Sequence, residues 1–443
     1  MTKKISNGAG TINLKIEGGR KLHGTIETNT SKNGAVALLA ASLLNKGETI
    51  LRQMPKIEEV YRLIEVLQSI GVSVKWKDHD LFIKLPKVLN LKKINAKSAM
   101  KTRAIFMFIG SLVHLFKKFS IPQSGGCKLG GRTIRPHLWA LKDLGIDIKT
   151  TENAFLISAK KLKSAETILE ESSDTATINV LLAAAKIPRG TLIKYASANY
   201  QVQEICFFLQ KLGVAIEGIG TTTLRIVGVK EINEKVDYTL SEDPIDTMFF
   251  LAVAALTNSQ IKITRAPIEF LELELLTLKL MNFRYKLSKT YFSHNGRTKL
   301  VDIETRPSKL IAPPEKIHPR PYPGLNMDNL PFFAVIATKA KGQTLIHDWV
   351  YEKRALNYAE LDRLGANTVL ADPHRFFVTG PTELHSAEMV CPPALRPAAI
   401  ILIAMLSAKG TSILRNIYSI NRGYEDLVNR LSKIGAKISF LKN

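Results

Sequence analysis

The stretch Leu212-Gly213-Val214-Ala215-Ile216 joins the end of a leucine-rich amphipathic segment to a short run of strand-forming residues, and this pattern occurs five times in the chain. A glycine at this place is typical of the residue that follows a helix, where the backbone turns left-handed. The β-branched residues after it favour a strand. The other four stretches are Ile70-Gly71-Val72-Ser73-Val74, Leu144-Gly145-Ile146-Asp147-Ile148, Leu364-Gly365-Ala366-Asn367-Thr368 and Ile434-Gly435-Ala436-Lys437-Ile438.

The spacing of these glycines predicts a sixth, degenerate copy of the pattern. Consecutive glycines lie 74, 68, 152 and 70 residues apart, so the long gap equals two repeat lengths. The missing copy is expected at residues 248–292, where an apolar, a β-branched and a helical segment follow one another. Glycine-threonine turns mark four copies independently, at Gly47, Gly190, Gly342 and Gly410. Internal repetition of this kind indicates a fold built from one repeated unit.

Six copies of a helix-strand-helix-strand unit predict an α/β (α+β) protein with two domains of three units each. The first helix of each copy is apolar all round and is therefore expected in the interior. We place the first domain at residues 31–241 and the second at residues 1–30 and 242–443. Residues 313–323, which include five prolines, are expected to form a loop inside the second domain.

Composition favours a globular protein with two cores, because 45% of the 443 residues are hydrophobic and 23% are charged. The first ten residues are polar and the longest apolar runs have nine residues, so we expect neither a signal peptide nor a membrane-inserted helix. Cys127, Cys206 and Cys391 are odd in number and far apart. They predict no disulfide framework and no zinc site, which favours the reducing cytoplasm.

The formal charge of +23 is compatible with nucleic acid, an anionic membrane surface or anionic small substrates as partners. The lysines and arginines are spread over the whole chain, without a basic tail or a nucleic-acid-binding motif. We therefore expect no primary role in nucleic-acid binding. The sequence does not specify an oligomeric state.

Cys127 lies in a glycine-rich stretch, Gly125-Gly126-Cys127-Lys128-Leu129-Gly130-Gly131-Arg132, which predicts a loop. The neighbouring Lys128 and Arg132 favour the thiolate and suit a thiol that transfers a proton. The alternative interpretation is a structural cysteine in a flexible hairpin.

Other candidate residues lie at predicted helix starts and turns. Lys32 and Asn33 begin the first apolar helix, where free backbone N–H groups and a lysine form an anion site or, alternatively, an exposed lysine lies beside a cap. Asp328 starts a predicted helix over residues 328–335 and is interpreted as its N-cap or as a general base. Arg396 and Arg422 are expected at irregular turns, as functional groups or as surface charges.

Taken together, these motifs resemble the UDP-N-acetylglucosamine enolpyruvyl transferases over nearly the whole chain. The most specific matches are the glycine-rich loop at residues 125–132 and the segment Ile417-Tyr-Ser-Ile-Asn-Arg-Gly-Tyr-Glu425. Further matches are Lys32-Asn33, Lys101-Thr102-Arg103 and Val350-Tyr351-Glu352 followed by Arg354. The resemblance implies an inside-out α/β barrel fold with the active site between the two domains.

The resemblance also implies the chemistry and the role of each residue. Enolpyruvyl is transferred from phosphoenolpyruvate to the sugar 3-hydroxyl, with Cys127 as general acid, Asp328 as base and no metal or organic cofactor. Phosphoenolpyruvate is held by five basic residues, and the nucleotide sugar by three residues that include the base. The first set is Lys32, Arg132, Arg354, Arg396 and Arg422, and the second is Asn33, Arg103 and Asp328.

The chain departs from the family pattern at several places. Ala394 stands where an Asp is usual, and Pro244 where an Arg is expected. The usual Glu-Pro-Glu-Ile is Asn199-Tyr200-Gln201-Val202, and the Ser-x-Gly-Ala-Thr loop that helps bind the UDP portion is Ser173-Asp174-Thr175-Ala176-Thr177. The proline loop before Asp328 is about two residues longer. A different hydroxyl acceptor, such as shikimate 3-phosphate, and a weakly catalytic nucleotide-sugar-binding paralogue therefore stay open as alternatives.

Overall fold

The computed structural model describes residues 12–123 and 133–441, and the strands among them form six small sheets, one for each predicted unit. Within five of the sheets, the second and third strands of a unit form a hairpin, and the third strand pairs with the first. The predicted unit was wrong in having two strands rather than three. The missed strand follows a tight turn, as in the hairpin of Ser73–Lys77 with Asp80–Lys84.

The six sheets follow the order of the units, and neighbouring strands within each sheet are hydrogen-bonded. The first sheet has the strand order Val236–Thr239, Glu48–Arg52, Asp80–Lys84, Ser73–Lys77. The second has the order Lys118–Pro122, Ala154–Ser158, Asp147–Thr150. The third has the order Glu166–Ile168, Thr191–Lys194, Thr223–Val227, Ala215–Glu217. The fourth sheet has the strand order His23–Glu27, Gln260–Pro267, Lys299–Arg306, Arg284–Leu287, and Tyr291–Phe292 also pairs with Lys299–Arg306. The fifth has the order Gly342–His347, Arg375–Gly380, Asn367–Leu370. The sixth has the order Glu388–Val390, Gly410–Arg415, Asn13–Gly18, Lys437–Leu441.

The beginning of the described chain completes the sixth sheet. Strand Asn13–Gly18 lies antiparallel between Gly410–Arg415 and Lys437–Leu441, in the place that a unit's own third strand holds in the other sheets. Strand His23–Glu27 pairs in parallel with Gln260–Pro267 of the fourth unit. Residues from both ends of the chain thus build the same half of the molecule.

The apolar first helices are interior, as predicted. Every residue of Pro244–Leu256 is buried, because this helix has no polar face to present to water. The first helices of the units are Lys32–Ser42; the 3₁₀ turn Arg103–Met107 with Phe108–Leu112; Asp174–Ala184; Pro244–Leu256; Leu330–Ala337; and Leu395–Ser407. In the second half all three interior helices pack against one another, and in the first half the helix of the second unit packs against the other two.

The amphipathic second helices end at the predicted glycines. Gly71, Gly145, Gly213, Gly365 and Gly435 all have positive φ, between 86° and 103°, a conformation that favours glycine. In the degenerate fourth unit, Asn282 takes this place with φ of 61°. The second helices are Glu58–Ser69, Arg135–Asp143, Tyr200–Lys211, Glu272–Leu280, the 3₁₀ helix Ala355–Leu364 and Leu427–Lys433; short helical segments lie at Leu91–Lys93, Ala96–Ala99, Ile268–Phe270 and Tyr418–Asn421.

The buried apolar side chains form two clusters. One cluster draws on residues 35–240, and the other on residues 14–26 and 245–438 together with Tyr200. The boundaries at residues 31–241 and at residues 1–30 with 242–443 stay our proposal for the two domains. The two connections between the halves run side by side, since Ser31 N donates to Ser241 O and Asp243 N donates to Asn29 O, each over 2.8 Å.

In the part of the chain that the structure describes, no helix is long and apolar enough to cross a membrane. The longest, Pro244–Leu256 and Leu395–Ser407, have 13 residues each, against about 20 needed to span a bilayer.

Candidate active site

Lys32 lies at the first turn of helix Lys32–Ser42, as predicted. Ser31 is the N-cap and accepts a hydrogen bond from Gly34 N over 2.9 Å. The backbone N–H of Lys32 donates to Oδ2 of Asp243 over 3.0 Å, so a carboxylate from the other half satisfies the helix end. The Lys32 ammonium contacts Oδ1 of Asn33 at 3.0 Å and Oε2 of Glu59 at 2.9 Å.

Glu59 is a buried carboxylate that holds two of the predicted cations. Besides Lys32, its Oε2 lies 3.7 Å from Nη2 of Arg422, and its Oε1 accepts from the Thr102 hydroxyl over 2.7 Å. Burial alone would raise the pKa of Glu59, but Lys32 and Arg422 outweigh it and the pKa is lowered. The ionised carboxylate therefore brings together two cations from opposite ends of the sequence.

Asp328 lies between two of the predicted arginines. Its Oδ2 is 3.2 Å from Nη2 of Arg396, and its Oδ1 is 3.9 Å from Nη1 of Arg354. Burial would raise the pKa of Asp328, but Arg396, Arg354 and Lys32 outweigh it and the pKa is lowered. A quarter of the side chain stays exposed, so a ligand can reach the carboxylate.

The interpretation of Asp328 as a helix N-cap was wrong. The helix begins at Leu330, and Asn329 occupies the cap position. The N–H of Asp328 instead donates to Oδ1 of Asn326 over 2.9 Å, in a turn that directs the carboxylate toward the arginines.

Arg354 is fully buried and only partly paired. Its Nε and Nη2 bind Asp348 at 2.6 and 2.9 Å, and the Tyr358 hydroxyl donates to the same carboxylate over 2.6 Å. Its Nη1, the atom that faces Asp328, has no hydrogen-bond partner among the described residues. A buried guanidinium N–H without a hydrogen bond is costly, so Nη1 would gain from an anion that binds beside Asp328.

Arg396 is the second residue of helix Leu395–Ser407 and not part of an irregular turn. Its Nη1 donates to the Tyr424 hydroxyl over 3.2 Å. The neighbouring Gly423 allows close packing at this point, because a Cβ on it would lie 2.4 Å from Cδ2 of Leu395 and 3.2 Å from Cδ of Lys32. Arg422 follows the short helix Tyr418–Asn421 as its C-cap.

The residues expected to contact the nucleotide sugar lie beside this cluster. Nδ2 of Asn33 donates to the Tyr200 hydroxyl over 2.9 Å. Arg103 begins the 3₁₀ turn Arg103–Met107 directly after Thr102, which binds Glu59. Burial and, to a lesser extent, Arg103 lower the pKa of His137 to about 3, so this imidazole is neutral.

The structure thus brings together Lys32, Asn33, Asp328, Arg354, Arg396 and Arg422. Arg103 follows Thr102, whose hydroxyl binds Glu59. The predicted general acid Cys127 and the predicted phosphate ligand Arg132 lie outside the described residues. Sequence reasoning missed Glu59 and Tyr200. Glu59 stands among the acidic residues that begin helix Glu58–Ser69, where a carboxylate normally interacts with the helix dipole, so nothing in its local sequence signals a site.

Four cations, Lys32, Arg354, Arg396 and Arg422, lie in this cluster beside the carboxylates of Glu59, Asp243, Asp328 and Asp348. Guanidinium and ammonium groups are the donors that bind phosphate and carboxylate groups of a substrate. The described residues include no group of three or more His, Cys, Asp and Glu side chains placed to hold a metal ion. Since Lys32 belongs to the first half and Asp328 to the second, the site lies between the halves.

Curated relatives match the chain along almost its whole length. The family model described as EPSP synthase (3-phosphoshikimate 1-carboxyvinyltransferase) matches residues 16–431. UDP-N-acetylglucosamine 1-carboxyvinyltransferase from Treponema denticola is 34% identical over 424 residues, 96% of this chain and 98% of the relative. The enzymes of the same name from Borreliella burgdorferi and Porphyromonas gingivalis are each 33% identical to this chain. The matched region spans 97% and 96% of this chain, respectively, and 99% of each relative.

Solved structures share the fold. The enolpyruvyl transferase NikO from Streptomyces tendae matches with a TM-score of 0.83 at 23% identity, over 98% of this chain and 99% of that one. An EPSP synthase from Acinetobacter baumannii matches with a TM-score of 0.75 at 18% identity, over 98% of this chain and 100% of that one. With the full-length relatives above, the expected enolpyruvyl transferase fold is confirmed, and the chain belongs to the UDP-N-acetylglucosamine 1-carboxyvinyltransferase family.

Proposed function

We propose that this protein transfers the enolpyruvyl group of phosphoenolpyruvate to the 3-hydroxyl of UDP-N-acetylglucosamine and releases phosphate, the first committed step of peptidoglycan synthesis. The observation that carries the proposal is the position of Asp328, a partly exposed carboxylate that lies 3.2 Å from Nη2 of Arg396 and 3.9 Å from Nη1 of Arg354. The family relationship supports the same reaction.

The two groups of cations suit the two charged ends of phosphoenolpyruvate. Lys32 and Arg422, which Glu59 holds together, bind the phosphate, and the resemblance adds Arg132 to this set. Arg354 and Arg396, the two arginines beside Asp328, bind the carboxylate of phosphoenolpyruvate. Charge-assisted hydrogen bonds of this kind also stabilise the phosphate as it leaves.

Asp328 acts as the base in the first step. It takes the proton of the 3-hydroxyl while that oxygen attacks C2, and Cys127 donates a proton to C3, which forms a tetrahedral adduct. Loss of a C3 proton and of phosphate then gives the enolpyruvyl ether. A bound phosphoenolpyruvate neutralises Arg396 and Arg354, so it raises the pKa of Asp328 from its low value in the free protein and makes it a stronger base.

Asn33 and Arg103 bind the acceptor beside Asp328. Tyr200 orients the Asn33 amide through the 2.9 Å hydrogen bond. Because the site lies between the halves, closing the halves excludes water from the substrates. The reaction needs no metal or organic cofactor, and we place it in the cytoplasm.

Phosphate release from phosphoenolpyruvate tests this function, with UDP-N-acetylglucosamine, shikimate 3-phosphate or no acceptor in parallel. Release that depends on UDP-N-acetylglucosamine is the expected result. Release with shikimate 3-phosphate alone would assign the other acceptor. Binding of UDP-N-acetylglucosamine without release would instead indicate a non-catalytic paralogue, the alternative that Ala394 motivates.

A further inference from the structure

The interior helices of the first half run away from the candidate active site. Helix Lys32–Ser42 begins at the site with Lys32 and has 11 residues, so its end lies about 16 Å from its start. The helical segment that begins at Arg103 starts directly after Thr102, whose hydroxyl binds Glu59 in the site. The ends of these helices therefore lie on the side of the first half that faces away from the site.

The third interior helix, Asp174–Ala184, ends on the same side. Near its middle, Nδ2 of Asn179 donates to Phe106 O over 3.0 Å. Nearer its end, Leu182 O lies 3.1 Å from Nε2 of His114. Later residues of this helix thus contact later residues of the second helical segment, which shows that the two run in the same direction.

A lysine follows each interior helix, with Lys46 after the first, Lys117 after the second and Lys186 after the third. Burial first, and nearby Lys46 to a lesser extent, lower the pKa of Lys186, although Glu231 opposes this. Glu231 also pairs with Lys46 at 3.2 Å. Ammonium groups from the first and third units therefore lie close enough to repel each other, and a further anion would relieve that repulsion.

Two further lysines lie beside Lys117. The N–H of Ala159 donates to Lys117 O over 2.8 Å, and Lys160 and Lys161 come directly after Ala159. The three lysine side chains are exposed, and none of them forms an ion pair with a described residue. We call this side of the first half the distal face and define it by Lys46, Lys117, Lys160, Lys161 and Lys186.

Two exposed apolar side chains lie among these lysines. Leu115 comes shortly before Lys117 and is 36% exposed. Val227 is also 36% exposed and comes directly before Gly228, whose N–H donates to Ile187 O over 2.9 Å. Basic side chains beside exposed aliphatic ones suit the boundary between lipid headgroups and acyl chains.

We propose that the distal face binds an anionic membrane surface and attaches the protein to it without insertion, while the cleft between the halves stays open to solution. The cytoplasmic leaflet carries a negative surface potential, and each lysine near it strengthens binding by about 5-fold. The five cations of the distal face are lysines rather than the arginines preferred in nucleic-acid recognition, and aliphatic side chains do not stack on bases as aromatic ones do. Such binding gives the formal charge of +23 a role that the reaction does not explain.

Co-sedimentation of the full-length protein with lipid vesicles tests this proposal and does not depend on the acceptor of the reaction. One set of vesicles contains phosphatidylcholine alone, and the other contains equal amounts of phosphatidylcholine and phosphatidylglycerol. We expect binding to the anionic vesicles only. This binding should weaken as the salt concentration rises, because salt screens exposed charges.

Two triple variants with the same net charge locate the contact. The first replaces three exposed lysines of the distal face, in the changes Lys117→Gln, Lys160→Gln and Lys161→Gln. The matched control replaces three exposed lysines of the second half, in the changes Lys279→Gln, Lys286→Gln and Lys289→Gln. We expect the first variant to bind anionic vesicles on the order of 100-fold more weakly than the wild type, and the control to bind them nearly as tightly.

Equal losses in the two variants would show that only net charge matters and would overturn the assignment to the distal face. Absence of binding to anionic vesicles, or equal binding to both kinds of vesicle, would overturn the proposal as a whole. Tighter binding of the wild type to a DNA duplex, lost in the first variant alone, would assign the distal face to nucleic acid instead. Thermal unfolding confirms that the variants are folded, and the salt dependence of the wild type tests the charge attraction without any substitution.

Discussion

Nη2 of Arg396 lies 3.2 Å from Oδ2 of Asp328, and the same guanidinium donates to the Tyr424 hydroxyl. This contact joins the proposed base to a proposed ligand of phosphoenolpyruvate. In the free protein the arginine lowers the pKa of the carboxylate, so the base is weak until an anion takes over the arginine. In the proposed mechanism, phosphoenolpyruvate therefore binds before Asp328 removes the proton of the acceptor.

Replacing the base should affect the rate far more than binding. We expect Asp328→Asn to lower kcat by about 10²- to 10⁴-fold, because an amide does not accept the hydroxyl proton. Phosphate release measures this loss. Asp372→Asn, which changes a partly exposed carboxylate paired with Arg375, is the control. A kcat close to the wild-type value in Asp328→Asn would remove the residue from the mechanism.

Glu59→Gln should destabilise the protein, because Lys32 and Arg422 lose the buried charge that lies between them. We expect the free energy of unfolding to fall by about 1–3 kcal/mol in urea titrations. Inorganic phosphate should restore part of the loss by supplying a negative charge to the same cations. Glu58→Gln, which affects only the pair with Arg62 at 3.3 Å, is the comparison, and equal stability of the two variants would contradict the role of Glu59.

Tyr200→Phe should weaken acceptor binding, since it removes the hydroxyl that accepts from Asn33. We expect KM for the nucleotide sugar to rise about 3- to 10-fold, which corresponds to the binding free energy of about one hydrogen bond. The KM for phosphoenolpyruvate should stay unchanged. Tyr195→Phe alters an exposed tyrosine and provides the control. A parallel rise of both KM values would indicate a general distortion of the site instead.

Cys127 should be the reactive cysteine of this chain. Burial raises the pKa of Cys206 and of Cys391 to about 12, so neither forms a nucleophilic thiolate near neutral pH. A small phosphonate epoxide that mimics phosphoenolpyruvate should therefore alkylate Cys127 alone, as measured by mass spectrometry of the folded protein. Cys127→Ser should greatly slow phosphate release, and equal labelling of all three cysteines would oppose the assignment.

Glu204 should make the free energy of unfolding decrease as pH rises. Burial raises its pKa to about 8, although Tyr238 and the Ser241 N–H donate hydrogen bonds to it; nearby Glu242 raises the pKa further. The folded state therefore binds the proton more tightly than the unfolded state, where the value is near 4.5. The resulting stabilisation is complete below pH 4.5 and is lost as pH rises through about 8.

Glu204→Gln keeps an oxygen acceptor for Tyr238 but does not titrate. Between about pH 5 and 8 we expect the wild type to lose on the order of 3 kcal/mol more unfolding free energy than this variant. Urea titrations at several pH values measure the difference. Parallel pH profiles of the two proteins would contradict a proton held by Glu204.

The repeated unit could be predicted from the sequence because its signals are local. An apolar segment, a glycine of positive φ and a β-branched segment each depend on neighbouring residues, so five glycine caps and the position of Lys32 were predicted correctly. Even the degenerate unit obeys the same rule, with Asn282 in the left-handed conformation that asparagine tolerates.

The remaining features depend on contacts between residues far apart in the chain. Strand Asn13–Gly18 completes the sheet of the last unit, and Glu59 joins Lys32 to Arg422, but neither local sequence carries a sign of its partner. Likewise, the local sequence around Asp328 is typical of a helix cap, but its pKa is low because Arg396, Arg354 and Lys32 lie near it in the fold. The sequence by itself determined the units and their order, whereas the tertiary structure decided which charges meet, because electrostatic coupling depends on distance in space and on burial.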